Sequence, residues 1–180
     1  MAQNGIIKIA VLGAESTGKS WLCEALARHY NTTWVPEYAR EYFNDSDIYN
    51  YTLDDLVIIA AKQIENEQEL ARAAGKFLFC DTTLVTLKIW AELEFQYTPP
   101  FIEDNLPEIK YDHYFIMDNA MPWEEDPLRQ NKFNRDMLQH LNIFEVEQLQ
   151  APYTIITGKN EERLKNAVKI LDGLFSPQNL

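Results

Sequence analysis

Cysteine and positive charge are both scarce in this chain, and each scarcity excludes something. Only two cysteines, Cys23 and Cys80, occur among 180 residues, each inside an apolar stretch, with no C-x-x-C pair and no histidine beside them. That pattern describes small buried side chains in a reducing compartment and argues against a disulfide framework or a metal site. Lys and Arg number 16 against 28 Asp and Glu, a formal net charge of −12. With no Lys/Arg-rich run, the chain is not expected to bind nucleic acid or an anionic membrane. No apolar run approaches a membrane span. The hydrophobic segment at 6–12 is too short for a signal peptide, and Lys8 interrupts it. A cytoplasmic location is expected. Repeats, low-complexity tracts and linkers are missing too, so 1–180 reads as one domain, large enough to bury its own core.

What is present is an alternation. Apolar runs at 6–12, 33–35, 77–81, 114–118 and 153–157 read as buried strands, several closing on Gly or Asp. Helices are expected between them: 19–30, a long one opening at Thr52 and closing at Gly75, 84–97, one from about 135 to 150, and a last one to Leu174. Thr52 and Asp55 form a capping-box pattern, and Leu53, Leu56, Val57, Ala60, Ile64, Ala71 and Ala74 make that helix's apolar stripe. Pro99 and Pro100 stop the 84–97 helix. Strands alternating with helices predict an α/β fold: three layers, α/β/α, around a five-stranded parallel sheet.

Between the first strand and the first helix stands Gly13-Ala14-Glu15-Ser16-Thr17-Gly18-Lys19-Ser20, a full match to G-x-x-x-x-G-K-[ST]. The two glycines let the backbone aim successive N–H groups at phosphate oxygens, and the helix N-terminus adds partial positive charge. Lys19 would reach the β- and γ-phosphates, and the Ser20 hydroxyl would ligate Mg²⁺. The fold is therefore that of a P-loop NTPase, with ATP and Mg²⁺ as expected cofactors. Trp21 belongs to the same nucleotide site. Thr157-Gly158-Lys159-Asn160, after the last strand, either accepts the base at Gly158 or is an ordinary turn capped by Asn160.

A guanine-specific switch is excluded. Asn131-Lys132-Phe133-Asn134 lacks the Asp of N-K-x-D, and no Asp is followed by Gly three residues later. Asp81 and Asp118 are both candidates for the acid beside the metal, with Asp81 preferred. Glu37, after the second strand, could accept the proton of an attacking hydroxyl, and Arg40 could orient a phosphate or the acceptor. Alternatively the two form an exposed ion pair at a helix start. Tyr38 and Tyr42 offer flat faces to an aromatic ring. The polar segment at 119–135, bounded by Pro122 and Pro127, reads as a lid. Arg129 is its candidate for the transferred phosphoryl group, with Arg135 as the alternative. The aromatic segments 34–43 and 90–97 could supply the acceptor pocket, core packing being the preferred reading of the second.

These landmarks, in order, resemble the nicotinamide riboside kinase domain of the NadR family of NAD-biosynthesis proteins and the stand-alone ATPases grouped with it. The resemblance rests on Gly13–Ser20, on Glu37-Tyr38-Ala39-Arg40, on Asp81-Thr82-Thr83, and on Pro122-Trp123 through Asp126 to Arg129. It implies a nucleoside-kinase-like enzyme that transfers phosphate from ATP to the 5′-hydroxyl of nicotinamide riboside. Catalysis would fall to Lys19, Glu37, Asp81 and Arg129, metal binding to Ser20 and Asp81, and acceptor binding to Glu37, Tyr38, Arg40, Tyr42, Asp81 and Thr82. No adenylyltransferase or DNA-binding segment precedes the kinase region in these 180 residues, so those activities are not implied. Two other readings stay open. One is a kinase for a different nucleoside or cofactor precursor. The other is a regulatory nucleotide-binding module that docks a partner on the apolar helix from Leu84.

Overall fold

The computed structural model describes residues 5–44, 50–125 and 133–176. Its five strands, β1 (Ile7–Leu12), β2 (Trp34–Val35), β3 (Phe77–Asp81), β4 (His113–Met117) and β5 (Tyr153–Ile156), form one parallel sheet in the order β2-β3-β1-β4-β5. β3 and β4 are buried throughout, and β1 at all but Lys8, which is why they read as largely apolar runs. β1 pairs with β3 on one side, with Val11 opposite Asp81, and with β4 on the other. The C-terminal ends of β2, β3 and β1 therefore lie in a row. They carry Glu37, Asp81 and the glycine-rich loop toward one crevice, where open α/β sheets bind ligands.

The helices are α1 (Lys19–His29), α2 (Tyr38–Tyr42), α3 (Leu53–Ala71), α4 (Leu84–Phe95), α5 (Pro100–Asn105), α6 (Arg135–Gln148) and α7 (Asn160–Leu174). On one face of the sheet, α1 and α7 pack on Ile9, Val11, Phe79 and Phe115. On the other, α4 and α6 pack on Ala10, Leu12, Leu78 and Ile116. Side chains alternate across each strand, so one strand feeds both layers. A third apolar cluster joins α2, α3, α4 and α5 outside the sheet.

The capping box of α3 forms as expected. Thr52 Oγ1 accepts from Asp55 N, and Asp55 Oδ2 accepts from Thr52 N at 2.7 Å. The buried face of α3, however, is rotated from the expected stripe. Leu56, Ile59, Ala60, Gln63 and Glu67 are buried, while Leu53, Val57 and Ile64 are half-buried. Two polar residues occupy that face because both have partners. Glu67 accepts from Lys8 Nζ at 2.7 Å and from the Tyr111 hydroxyl at 2.6 Å. The expected proline stop after α4 also has a different cause. Gln96 ends the helix in the left-handed conformation, and Pro100 instead opens α5, where a missing N–H costs nothing. The apolar character of α4 on all sides is explained by its neighbours: α3, α5 and α6 all pack against it. No described helix is long and apolar enough to cross a membrane.

Candidate active site

The glycine-rich loop departs from β1 through Gly13, whose φ of 143° only glycine adopts readily. A Cβ there would also lie 2.9 Å from Met117 Cβ on the neighbouring strand. Gly18 caps α1 in the left-handed conformation, at φ 81°. Inside the loop, the buried Thr17 hydroxyl donates to Ala14 O at 2.8 Å, and Lys19 Nζ donates to the carbonyls of Gly13 and Ala14 at 3.1 and 3.0 Å. The lysine thus holds its charge over the loop's concave side, where phosphates bind.

Asp81 ends β3 beside this loop and is almost fully buried. Its Oδ2 accepts from Ser20 Oγ at 2.5 Å, while Oδ1 is buried without a hydrogen-bond partner. Burial and the neighbouring Glu37 charge push its carboxyl up to about 6, and Lys19, Ser20 and Arg40 counteract them only in part. An under-neutralised carboxylate with an unused oxygen, next to a serine hydroxyl, is an oxygen donor set suited to a hard cation. Asp118, the other sequence candidate, ends β4 and is committed elsewhere. It pairs with the guanidinium of Arg163, which also donates to Thr17 O.

A cavity of about 290 Å³ opens above the loop. The loop from Gly13 to Trp21 forms its floor, and Glu37 and Arg40 line it together with Asn160. Glu37 and Arg40 pair at 3.2 Å at the start of α2, with the Glu37 side chain mostly shielded from solvent and both residues on the cavity lining. Gln63 of α3 fixes this corner. Its side-chain oxygen accepts from Tyr38 N at 2.9 Å, and its amide donates to Pro36 O at 3.3 Å.

Some expected acceptor residues lie elsewhere. Tyr38 and Tyr42 pack in the cluster between α2 and α3, and the Tyr42 hydroxyl donates to Asp55. Phe43 and Trp90 line the cavity instead, together with Trp21 at the end of the loop. Thr82 is buried beside Asp81 in a left-handed conformation, its amide bonded to Val11 O. Gly158 turns the chain into α7 at φ 96°, and Lys159, not Asn160, occupies the N-cap.

Arg129 lies outside the described residues, as do Asp126 and Pro127. The described residues on either side reach the loop: Ser16 Oγ exchanges hydrogen bonds with Glu124 O and N at 3.2 and 3.1 Å, and Arg135 donates to Ser16 O at 3.3 Å. Arg135 and Arg163 are thus two cations that the fold brings to the phosphate loop. Sequence reasoning ranked the first second and missed the other. Neither stands in a motif.

Comparison with known proteins agrees with this geometry. A family model described as an AAA domain matches residues 8–163. The trifunctional NAD biosynthesis/regulator protein NadR of Escherichia coli K12 is 31% identical over 147 residues, 79% of this chain and 35% of that protein. The NadR of Salmonella typhimurium LT2 is 30% identical over 142 residues, 75% of this chain and 34% of that one. The chain therefore spans about a third of the length of these curated relatives. Among solved structures, a NadR protein in complex with NR superposes with a TM-score of 0.79 at 20% identity, over 94% of this chain and 50% of that one. Deoxyadenosine kinase from M. mycoides superposes with a TM-score of 0.63 at 10% identity, over 93% of this chain and all of that one. The fold is thus shared with NadR and with a deoxyadenosine kinase, and the chain belongs to the AAA-domain family whose model spans residues 8–163.

Proposed function

We propose that the protein is an ATP-dependent small-molecule kinase that phosphorylates the 5′-hydroxyl of nicotinamide riboside to give nicotinamide mononucleotide. One observation carries the reading: a carboxylate held by a fixed ion pair, Glu37 with Arg40, lines the same cavity as the phosphate loop and Lys19. A module that only bound nucleotide would have no use for an acid there. The partner surface that a regulatory reading needs is also spent, since α4 is packed under α3, α5 and α6. The choice of nicotinamide riboside draws on the NadR relatives and on the NadR structure in complex with NR.

In this reading the acceptor's hydroxyl oxygen attacks the γ-phosphorus of ATP as its proton passes to the Glu37 carboxylate, and ADP leaves with the electrons of the broken P–O bond. Lys19 and the loop N–H groups bind the charge on the transferring group, and Arg135 or Arg129 flanks it. Ser20 and Asp81 would hold Mg²⁺, which neutralises phosphate charge when bound. Arg40 holds the Glu37 carboxylate in place through their ion pair, and Gln63 holds the turn that carries both.

Coupled ADP release from Mg·ATP tests the proposal, with nicotinamide riboside and a panel of nucleosides as acceptors. Strong stimulation by nicotinamide riboside is the expected result. Stimulation by another nucleoside alone would keep the reaction and replace the substrate. Tight ATP binding with no stimulation by any acceptor would overturn the kinase reading.

A further inference from the structure

The wall of the cavity away from the phosphate loop is built where α4 packs on α6. Ile89 and Trp90 of α4 and Leu138 of α6 make it apolar. Two polar side chains interrupt it, and each carries a buried oxygen without a partner: Thr86 Oγ1 on α4 and Asn142 Oδ1 on α6. Asn142 is 3% exposed. Its amide orientation is fixed by chemistry, since Nδ2 donates to Leu138 O at 2.7 Å and only the nitrogen can donate to a carbonyl. What remains on Asn142 for a ligand is therefore an acceptor. A helical threonine hydroxyl ordinarily bonds to a carbonyl one turn back, and Thr86 does not.

Buried polar atoms in native proteins are almost always satisfied, and an orphaned pair lining one cavity points to a ligand that satisfies them. We infer that Asn142 and Thr86 are specificity residues for the base of the acceptor, and that they select a carboxamide or amino group over a carboxylate or oxo group. The inference rests on the kinase reading above and adds to it a rule for the base. An amide N–H₂ donates to Asn142 Oδ1, and the amide oxygen accepts from the Thr86 hydroxyl. The aromatic face of Trp90 lines the same wall and is available to the flat ring. A carboxylate offers only acceptors, so it sets one oxygen against Asn142 Oδ1 in an apolar, low-dielectric wall and brings a negative charge into a chain of net charge −12.

The test is the ratio of kcat/KM for paired acceptors that differ at this one group: nicotinamide riboside against nicotinic acid riboside, cytidine against uridine, adenosine against inosine. The wild type should prefer the amide or amine of whichever pair it accepts by about 10²-fold or more, the scale on which a site built for a hydrogen bond rejects an analogue without it. Asn142→Leu, close in volume but without the acceptor, should bring the ratio to within a few-fold of unity. Thr86→Val, an isosteric change, should reduce it less and supplies the measurement if Asn142→Leu does not fold. An indifferent wild type, or variants that keep the full ratio, overturn this inference and leave the kinase reading in place. A preference shown only within a purine or pyrimidine pair, and erased in Asn142→Leu, supports the inference while replacing the proposed substrate. No acceptor turned over at all overturns both.

Discussion

At the scale of single residues, the site separates its two acids by what each touches. Glu37 is paired and faces the cavity, whereas Asp81 is buried, bonded to Ser20 and left with one oxygen unused. Glu37→Gln keeps shape and removes the proposed base, so kcat should fall by roughly 10²–10⁴-fold in the ADP-release assay. Unchanged kcat with a raised KM would reassign Glu37 to binding alone. Lys19→Ala leaves the loop's backbone intact and should abolish turnover without changing the circular dichroism spectrum, since the fold does not depend on its ammonium. Asp81 makes the opposite trade. Its burial beside Glu37 disfavours its charge, as the rise to about 6 records. Asp81→Asn retains an oxygen for Ser20 and removes the like-charge pair. The variant should melt at least a few degrees higher than the wild type in nucleotide-free buffer, and should be inactive. A lower melting temperature would mean that the carboxylate is stabilising as it stands.

At the scale of elements, the strands were readable because each is a short apolar run punctuated by Gly, Asp or Pro, and β3 was placed to the residue. Helix α5 was not recognised, and α2 entered only as the helix start in one reading of Glu37 and Arg40, because five or six residues are too few for a 3.6-residue period to register. The α3 stripe was misaligned for a different reason. Gln63 and Glu67 look solvent-facing in one dimension, and only the turn after β2 and the Lys8–Tyr111 pair explain their burial. The site divides along the same line. The loop from Gly13 to Ser20 and Asp81 are local signals, whereas Thr86, Asn142 and Arg163 meet the cavity or the loop from helices far apart in sequence, with nothing beside them to mark the role.

His113 shows what such long-range pairing does to stability. It opens β4, is buried, and its Nε2 lies 2.8 Å from Thr154 Oγ1 on β5. Burial lowers its pKa below the usual 6.5. The unfolded chain therefore takes up a proton at a pH where the folded chain does not. This contribution to stability is complete above pH 6.5 and drains away as the pH falls toward the folded-state value. Between pH 7.5 and 5 the urea midpoint of the wild type should fall relative to that of His113→Gln, while Asp81, whose raised carboxyl acts in the opposite sense, contributes equally to both. Parallel curves for the two proteins would remove His113 from the account.

At the scale of the whole molecule, a net charge of −12 surrounds a site built for a polyanion. Cations are gathered locally instead: Lys19 folds over the loop, while Arg135 and Arg163 are bonded to its carbonyls. Salt distinguishes the two fields. At 0.01 M ionic strength the screening length is about 30 Å, so carboxylates across the whole surface repel an incoming nucleotide; at 0.15 M it is about 8 Å, and they are largely hidden. The lysine and loop N–H groups touch the phosphates directly and lose much less. The association rate of a fluorescent Mg·ATP analogue, measured by stopped flow, should therefore rise a few-fold as salt increases over that range. For a site whose long-range field attracts its anion, the rate would fall instead. A fall here would mean that the three cations outweigh the rest of the surface even at a distance, and that the acidity of the chain is directed at something other than the nucleotide's approach.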